Sequence, residues 1–302
     1  MEQKYLLKEN FLIRWRAAFK ENNSHSDIFT PKIKVVSKKG EYSFGIIHNS
    51  YRFKRYFTKK ERCPLCNEII NLNKDVNGNL DQEGLLSDYY VIPNKFPIVD
   101  GTSLAVTKGI GENERPMYDT KNLDNLAEEL NKLINYANII NFRLFHNSEG
   151  FGATIPNHEH WHLTNFGKFY SEVGIYGFDT AEIENLPRIK EKIMPNFPFT
   201  HLIFDQQDSE KIVYFLKRLD ETIGYKYHKQ VVPHILCQDY RGNILIAPGK
   251  QYREKSRGAG EVAGHFIVET EEDFLNTDYS LCMKELEKLL IKKEELNLTN
   301  LL

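Results

Sequence analysis

The pattern of apolar and polar residues predicts short strands interspersed with amphipathic helices. Apolar residues recur at helical spacing in residues 4–21, 122–137, 209–223 and 278–292. Strand-like runs lie at residues 32–36, 42–48, 89–93, 103–107, 139–145, 158–164, 201–205, 231–238, 243–247 and 264–269. Residues 167–198 show neither pattern and are interpreted as a loop.

The order of these elements repeats along the chain. A strand, a helix and two strands occur once from residue 103 to residue 164 and again from residue 201 to residue 247. We therefore predict an α+β fold with two similar halves, each a twisted antiparallel sheet with a packed helix, the second half being divergent. The predicted divisions are an N-terminal helix and strands (1–60), a first half (61–170) and a second half (171–302).

Composition and charge narrow the classes of function. The 40 Lys and Arg residues against 42 Asp and Glu residues leave a net charge of −2, which argues against binding a nucleic acid polymer. The N-terminus lacks the features of a secretory signal, and no run of apolar residues is long enough to cross a membrane. The four cysteines do not form a disulfide framework, so we expect a reducing, cytoplasmic location.

Three of the ten histidines lie two residues apart, in the segment Asn157-His158-Glu159-His160-Trp161-His162. In a strand, side chains at this spacing project from one face. Aligned imidazoles can bind a metal, or they can supply a nucleophile with flanking hydrogen-bond partners. The alternative is a set of half-exposed surface histidines.

The residues before these histidines favour phosphate chemistry. Asn147, Ser148 and Thr154 are small polar residues, and Gly150 and Gly152 lie among them. Glycines allow backbone N–H groups to approach an anion, and hydroxyl groups add further donors. Beside a histidine cluster, this turn indicates a site for a phosphorylated ligand.

The segment from Phe145 to His162 resembles the active-site segment of histidine-triad nucleotidyltransferases, and most of all that of the GDP-L-galactose phosphorylase group. Diadenosine tetraphosphate phosphorylase and galactose-1-phosphate uridylyltransferase share the pattern more distantly. Three further stretches resemble that group in the expected order: residues 90–97 with 104–108, residues 233–236 with 251–255, and residues 261–265.

The resemblance implies a two-step reaction at the central histidine. His160 would attack the α-phosphorus of a nucleotide or nucleotide sugar and form a nucleotidyl-histidine intermediate. Phosphate or a sugar phosphate would then accept the nucleotidyl group. His158 would orient the loop or bind metal. The side chains expected to hold phosphate oxygens or balance their charge are Asn147, Ser148, Thr154, Lys108 and Arg52, together with the backbone at Gly152.

His162 departs from the transferase pattern, in which the third position is usually Gln. Histidine there is typical of the hydrolase branch, where water releases the nucleotide. The sequence therefore leaves open three functions. They are a phosphorylase or transferase acting on a nucleoside diphosphate sugar or a dinucleoside polyphosphate, a hydrolase that uses the same nucleophile, and a non-catalytic protein that binds nucleotide or zinc.

Cys63 and Cys66 form a CxxC pair whose spacing suits two corners of a tetrahedral zinc site. Uridylyltransferases join a similar pair to two histidines, and the resemblance makes His158 one of them. The second histidine is absent from its expected place after Lys108, so His146 or His48 is a candidate. The alternative is a pair of free, buried thiols.

Overall fold

The computed structural model describes the helices and strands that form the core of the chain. The described residues are 2–22, 31–38, 43–49, 65–66, 79–81, 84–94, 97–99, 101–108, 125–148, 158–165, 181–182, 192–194, 196–223, 234–239, 241–250 and 258–296. The helices are α1 (Glu2–Asn22), α2 (Leu126–Ile139), α3 (Ser209–Ile223), α4 (Ala259–Val262), α5 (Glu271–Asn276) and α6 (Tyr279–Leu289), followed by a 3-10 turn at Lys293–Glu295.

Within the described residues, nine strands form one large antiparallel sheet. They are β3 (Tyr89–Pro93), β4 (Ser103–Thr107), β5 (Arg143–Asn147), β6 (His160–Thr164), β7 (Ala181–Glu182), β8 (Lys192–Ile193), β9 (Leu202–Phe204), β10 (His234–Gln238) and β11 (Ile244–Pro248). Their order across the sheet is β3-β4-β6-β5-β10-β11-β9-β8-β7.

The predicted repeat is present as two units that share this sheet. Strand β4, helix α2 and strands β5 and β6 form the first unit, and β9, α3, β10 and β11 form the second. Strands β5 and β10 pair at the centre with Phe145 opposite Cys237 and Asn147 opposite Ile235. The sheets of the two halves are therefore continuous. Moving outward from the central pair, the order is β5, β6, β4 in the first unit and β10, β11, β9 in the second, so equivalent strands occupy equivalent places.

Helices α2 and α3 cover one face of the sheet. Both are amphipathic, and their buried sides, which include Leu130 and Leu133 of α2 and Leu216 of α3, join one apolar core with Trp161 and Leu236 from the strands. Because a close-packed leucine leaves a cavity when it is truncated, replacing any one of these leucines by alanine should lower the free energy of unfolding by about 2–5 kcal/mol.

A second, smaller sheet lies beside the large one. Strands β1 (Lys32–Val36) and β2 (Phe44–His48) are antiparallel, and β12 (His265–Val268) pairs with β2 in parallel. The second core contains Phe44 and Phe266 from this sheet, Phe145 and Ile235 from the large sheet, and Leu286 from α6. Residues from the beginning and the end of the chain thus meet in one sheet.

The α+β prediction is confirmed, and several element boundaries change. The segment predicted as a loop contains β7 and β8, and the short helices α4 and α5 were missed. Strand β6 begins at His160 rather than at residue 158. The large sheet crosses the predicted division at residue 170. Within the part of the chain that the structure describes, no helix has the length and apolar content to cross a membrane.

Two buried histidines are held in the neutral form by their surroundings. His201 accepts a hydrogen bond at Nε2 from the Met194 N–H (2.7 Å), and its Nδ1–H donates to the Phe199 carbonyl oxygen (2.7 Å). Burial is the main cause that lowers the pKa of His201 and of His265 from 6.5 to about 3. A second proton on His201 would bring an N–H against the Met194 N–H.

We expect the fold to lose stability in mild acid. Because the folded pKa values lie below the unfolded value, the unfolded chain binds more protons between roughly pH 6.5 and pH 3, and stability falls as the pH falls through that window. At about pH 5 the loss is roughly 2 kcal/mol for each of the two rings. Urea unfolding at neutral and acidic pH measures this loss. His201→Gln should lower stability at neutral pH and reduce the further loss in acid; an equal acid loss in both proteins would contradict the assignment.

Candidate active site

Strand β6 divides its side chains between the two faces of the large sheet. Trp161 and Leu163 face the helices and belong to the core, whereas His160 and His162 face the opposite side. The neighbouring strand β4 places Val106 opposite His160 and Leu104 opposite His162. We call this side of the sheet the histidine face.

His160 is buried and held in one tautomer. Its Nδ1 lies 2.9 Å from the carbonyl oxygen of His158. Because a carbonyl oxygen only accepts, Nδ1 carries the hydrogen, and Nε2 of the neutral ring carries the lone pair. The ring of His162 lies beside it with centroids 5.4 Å apart, and His162 is half-buried. This arrangement can present a nucleophilic nitrogen next to a hydrogen-bonding partner.

His158 lies just before the strand, and the contacts of its ring include the Thr107 carbonyl oxygen and the Cys66 sulfur. Its Nε2–H donates to the Thr107 carbonyl oxygen (2.9 Å), and its Nδ1 lies 3.3 Å from the Cys66 sulfur. Thr107 was not predicted, and its role has no sequence signal because only its backbone is used. The carbonyl fixes the tautomer of His158 so that the Nδ1 lone pair points towards Cys66.

The Cys66 and His158 pair fits half of the predicted zinc site. Zinc–ligand distances of about 2.3 Å to sulfur and 2.0–2.1 Å to nitrogen at a tetrahedral angle separate the two ligand atoms by roughly 3.5 Å. Cys63 lies outside the described residues. Among those described, no group of three or more His, Cys, Asp or Glu residues is close enough to hold a metal ion.

Neither proposed fourth ligand reaches this pair. His146 is on the helix side of the sheet, where its ring stacks on Trp161 with centroids 4.2 Å apart. Burial and the neighbouring His234 lower its pKa well below the usual value. His48 belongs to the small sheet, where its Nε2 lies 3.1 Å from the Glu269 carbonyl oxygen. Among the described residues, neither histidine forms a metal-binding group with Cys66 and His158.

Two of the predicted phosphate-binding residues lie at the end of β5 and just after it, and both already make contacts within the protein. Asn147 accepts a hydrogen bond at Oδ1 from the Ala259 N–H (2.6 Å). Ser148 is fully buried, and its Oγ accepts from the His234 N–H (2.7 Å) while its own N–H donates to the His234 carbonyl oxygen (3.1 Å). Ser148 thus extends the β5–β10 pairing by one residue.

The remaining predicted residues are less well placed or are not described. Lys108 directly follows β4 and is exposed. Its Nζ lies 5.1 Å from the centre of the Tyr90 ring. Arg52, Gly152 and Thr154 lie outside the described residues.

Comparison with known proteins identifies the fold. No family model matches the sequence, and no curated protein matches it. The structure is similar to yeast Ap4A phosphorylase Apa2, with a TM-score of 0.64, 15% identity, and coverage of 95% of this chain and 94% of that one. The same enzyme in complex with AMP gives a TM-score of 0.62 at 15% identity, covering 94% and 95%. In complex with Ap4A it gives 0.64 at 16% identity, covering 95% and 97%.

These likenesses extend over nearly the whole of both chains. The chain therefore has the α+β fold of the Ap4A phosphorylase, and the predicted histidine-triad-like architecture is confirmed. At 15–16% identity the likeness bears on the fold and not on the choice of substrate.

We expect purified protein to contain zinc bound at Cys66, at about one ion per chain. Cys66→Ser should lose most of it, because a hydroxyl is a much poorer zinc ligand than a thiolate. Cys237→Ala is the matched control: burial raises the pKa of the Cys237 thiol, so this residue stays protonated and should not bind metal. Elemental analysis measures zinc per chain. Wild-type protein without zinc, or equal zinc in both variants, would contradict the site.

Proposed function

We propose that this chain transfers a nucleotidyl group through a covalent intermediate on His160. The observation that carries the proposal is the hydrogen bond from His160 Nδ1–H to the His158 carbonyl oxygen, which directs the Nε2 lone pair away from the backbone. The fold likeness to Ap4A phosphorylase and the sequence resemblance to histidine-triad nucleotidyltransferases support it independently. On this basis the chain is an enzyme of the histidine-triad superfamily.

In the first step, Nε2 of His160 attacks the α-phosphorus, an N–P bond forms and the P–O bond to the leaving group breaks. Positive charge develops on the imidazole ring as the bond forms. The His158 carbonyl oxygen stabilises this charge through the Nδ1–H, and it is in place before the reaction begins. His162 lies beside the ring and is suited to donate to a phosphoryl or leaving-group oxygen.

In the second step, an acceptor oxygen attacks the same phosphorus and breaks the N–P bond, which regenerates the neutral imidazole. We propose inorganic phosphate as the acceptor and a dinucleoside polyphosphate as the donor, on the grounds that the similar solved structures are of an Ap4A phosphorylase. The sequence resemblance to GDP-L-galactose phosphorylases favours a nucleoside diphosphate sugar as donor, with phosphate or a sugar phosphate as acceptor. Both donors present the same α-phosphorus chemistry.

Hydrolysis is the second candidate outcome, and His162 favours it. In that case water replaces phosphate as the acceptor, while the covalent step at His160 is unchanged. Comparing turnover of Ap4A and of GDP-sugars with and without phosphate separates these outcomes. Products that appear only when phosphate is present support the phosphorylase.

His160→Ala should reduce turnover by about 10⁴-fold or more, because no other group can form the covalent intermediate. Wild-type protein mixed with radiolabelled donor and quenched quickly should trap acid-labile label, and His160→Ala should trap none. Added imidazole should partly restore turnover to His160→Gly by occupying the vacated space. Full activity in His160→Ala, or label on His158 or His162, would show that the nucleophile is wrongly assigned.

His162 should affect the rate and the outcome without being essential. His162→Ala removes one hydrogen-bond donor and should slow the reaction by about 10²–10³-fold. His162→Gln keeps an N–H donor, so it should retain more activity and raise the ratio of phosphorolysis to hydrolysis. Chromatography of the nucleotide products gives both rates. An unchanged product ratio in His162→Gln would remove the argument that His162 favours water.

A further inference from the structure

Asn147 ends the strand that pairs with the strand of the candidate nucleophile. Strand β5 pairs with β6 as far as Phe145 opposite His162, and the ring of His146 stacks on Trp161 one residue further. Continuing this register by one more residue brings Asn147 towards His160. Directly opposed residues in an antiparallel sheet share a face, with Cβ atoms about 4.5–5.5 Å apart. The Asn147 side chain therefore lies on the histidine face, the same side as Phe145 and Ala259.

The amide of Asn147 is held in one orientation by the second half of the chain. Its Oδ1 accepts from the Ala259 N–H, at 2.6 Å, at the start of α4. The amide oxygen of Asn147 therefore faces α4, and the two N–H donors of Nδ2 point away from α4 and can bind other partners. A phosphate oxygen needs donors, and the reversed amide would present an oxygen that repels it.

Gly258 makes this contact possible by leaving space for the amide. Its backbone is extended (φ −124°, ψ −159°), a conformation open to any residue, so conformation does not require glycine here. A Cβ at this position would lie 2.5 Å from Asn147 Oδ1, 3.1 Å from Cγ and 3.2 Å from Nδ2. The Gly258 N–H also donates to Glu261 Oε2 at 2.8 Å, which holds the backbone in place.

We propose that Gly258 and Ala259 are positioning residues for the reaction at His160. They hold the Asn147 amide so that Nδ2 donates to a phosphate oxygen of the nucleotide being transferred. This inference rests on the proposed function. It assigns to the second half of the chain a direct part in the geometry of the site, although the nucleophile belongs to the first half.

Gly258→Ala tests the positioning role. Since the backbone is held by Glu261, the added methyl group should displace the flexible end of Asn147 rather than the helix. We expect the rate of label transfer from Ap4A to His160 to fall by about 10²-fold, the cost of a displacement of about 1 Å. The melting temperature should fall as well, because the hydrogen bond from the Ala259 N–H to Asn147 is lost. Gly260→Ala is the matched control, because a Cβ there would meet only ordinary contacts at 3.8 Å and 3.9 Å.

Substitutions of Asn147 separate the contact of its Oδ1 with the Ala259 N–H from the donor function of its Nδ2. Asn147→Asp keeps an acceptor for the Ala259 N–H but places negative charge towards the phosphate, so it should keep its melting temperature and react more slowly than Asn147→Ala. In Asn147→Ala, adding Gly258→Ala should cause no further loss of rate or stability. A Gly258→Ala rate equal to that of Gly260→Ala, or losses that multiply in the double variant, would overturn the proposal.

The double-variant comparison also separates this inference from the proposed function. The melting temperatures of wild type, Asn147→Ala, Gly258→Ala and the double variant test the Asn147–Gly258 contact without any turnover. If His160→Ala remains fully active while the changes in melting temperature caused by Asn147→Ala and Gly258→Ala are not additive, the contact is supported and the assignment of the nucleophile is wrong. If wild-type protein traps label and Gly258→Ala does so at the same rate, the nucleophile stands and the positioning role is wrong.

Discussion

The pairing of β5 with β10 is the interaction on which the rest of the structure depends. It joins two α+β units into one sheet, and it gives β5 a second neighbour beside β6. A side chain network strengthens this joint: Gln238 accepts at Oε1 from the Leu144 N–H (3.1 Å) and donates from Nε2 to Asn138 Oδ1 (3.2 Å). Asn138 in turn donates to Gln206 Oε1 (2.9 Å).

The same joint brings α4 to the histidine face. Helix α4 follows β11 in the chain, and its first residue bonds to Asn147 at the end of β5. Without the β5–β10 pair, the candidate nucleophile and the start of α4 would belong to separate units. The site is therefore a product of the assembly of both halves, even though all three histidines of the predicted cluster come from one short segment.

Much of the fold follows from local sequence pattern. The boundaries of β1, β3, β4 and α3 agree with the predictions because alternation or helical spacing begins and ends sharply there. The histidine face was predictable for the same reason, since residues two apart in a strand share a side. By contrast, β7 and β8 are only two residues long, too short to show a period.

The contacts that complete the site could not be predicted, because they join distant segments through groups that carry no sequence signature. The His158 ring bonds to a backbone carbonyl of β4, and Asn147 bonds to a backbone N–H of α4. His146 was a plausible zinc ligand by proximity in sequence, yet its place in the strand turns it to the opposite side of the sheet from Cys66.

The two units are alike in topology but differ in what their equivalent faces carry. The row of side chains that contains His162 continues across the sheet through Phe145 and Cys237 to Leu245 of β11. There the surface is filled by the second apolar core and covered by α6. Among the described residues, this side of the sheet thus carries the histidines in the first unit and apolar core residues in the second, although the two units share one topology. If the proposed chemistry holds, the covalent intermediate saturates at a single nucleotide per chain, and the halves cannot alternate in turnover.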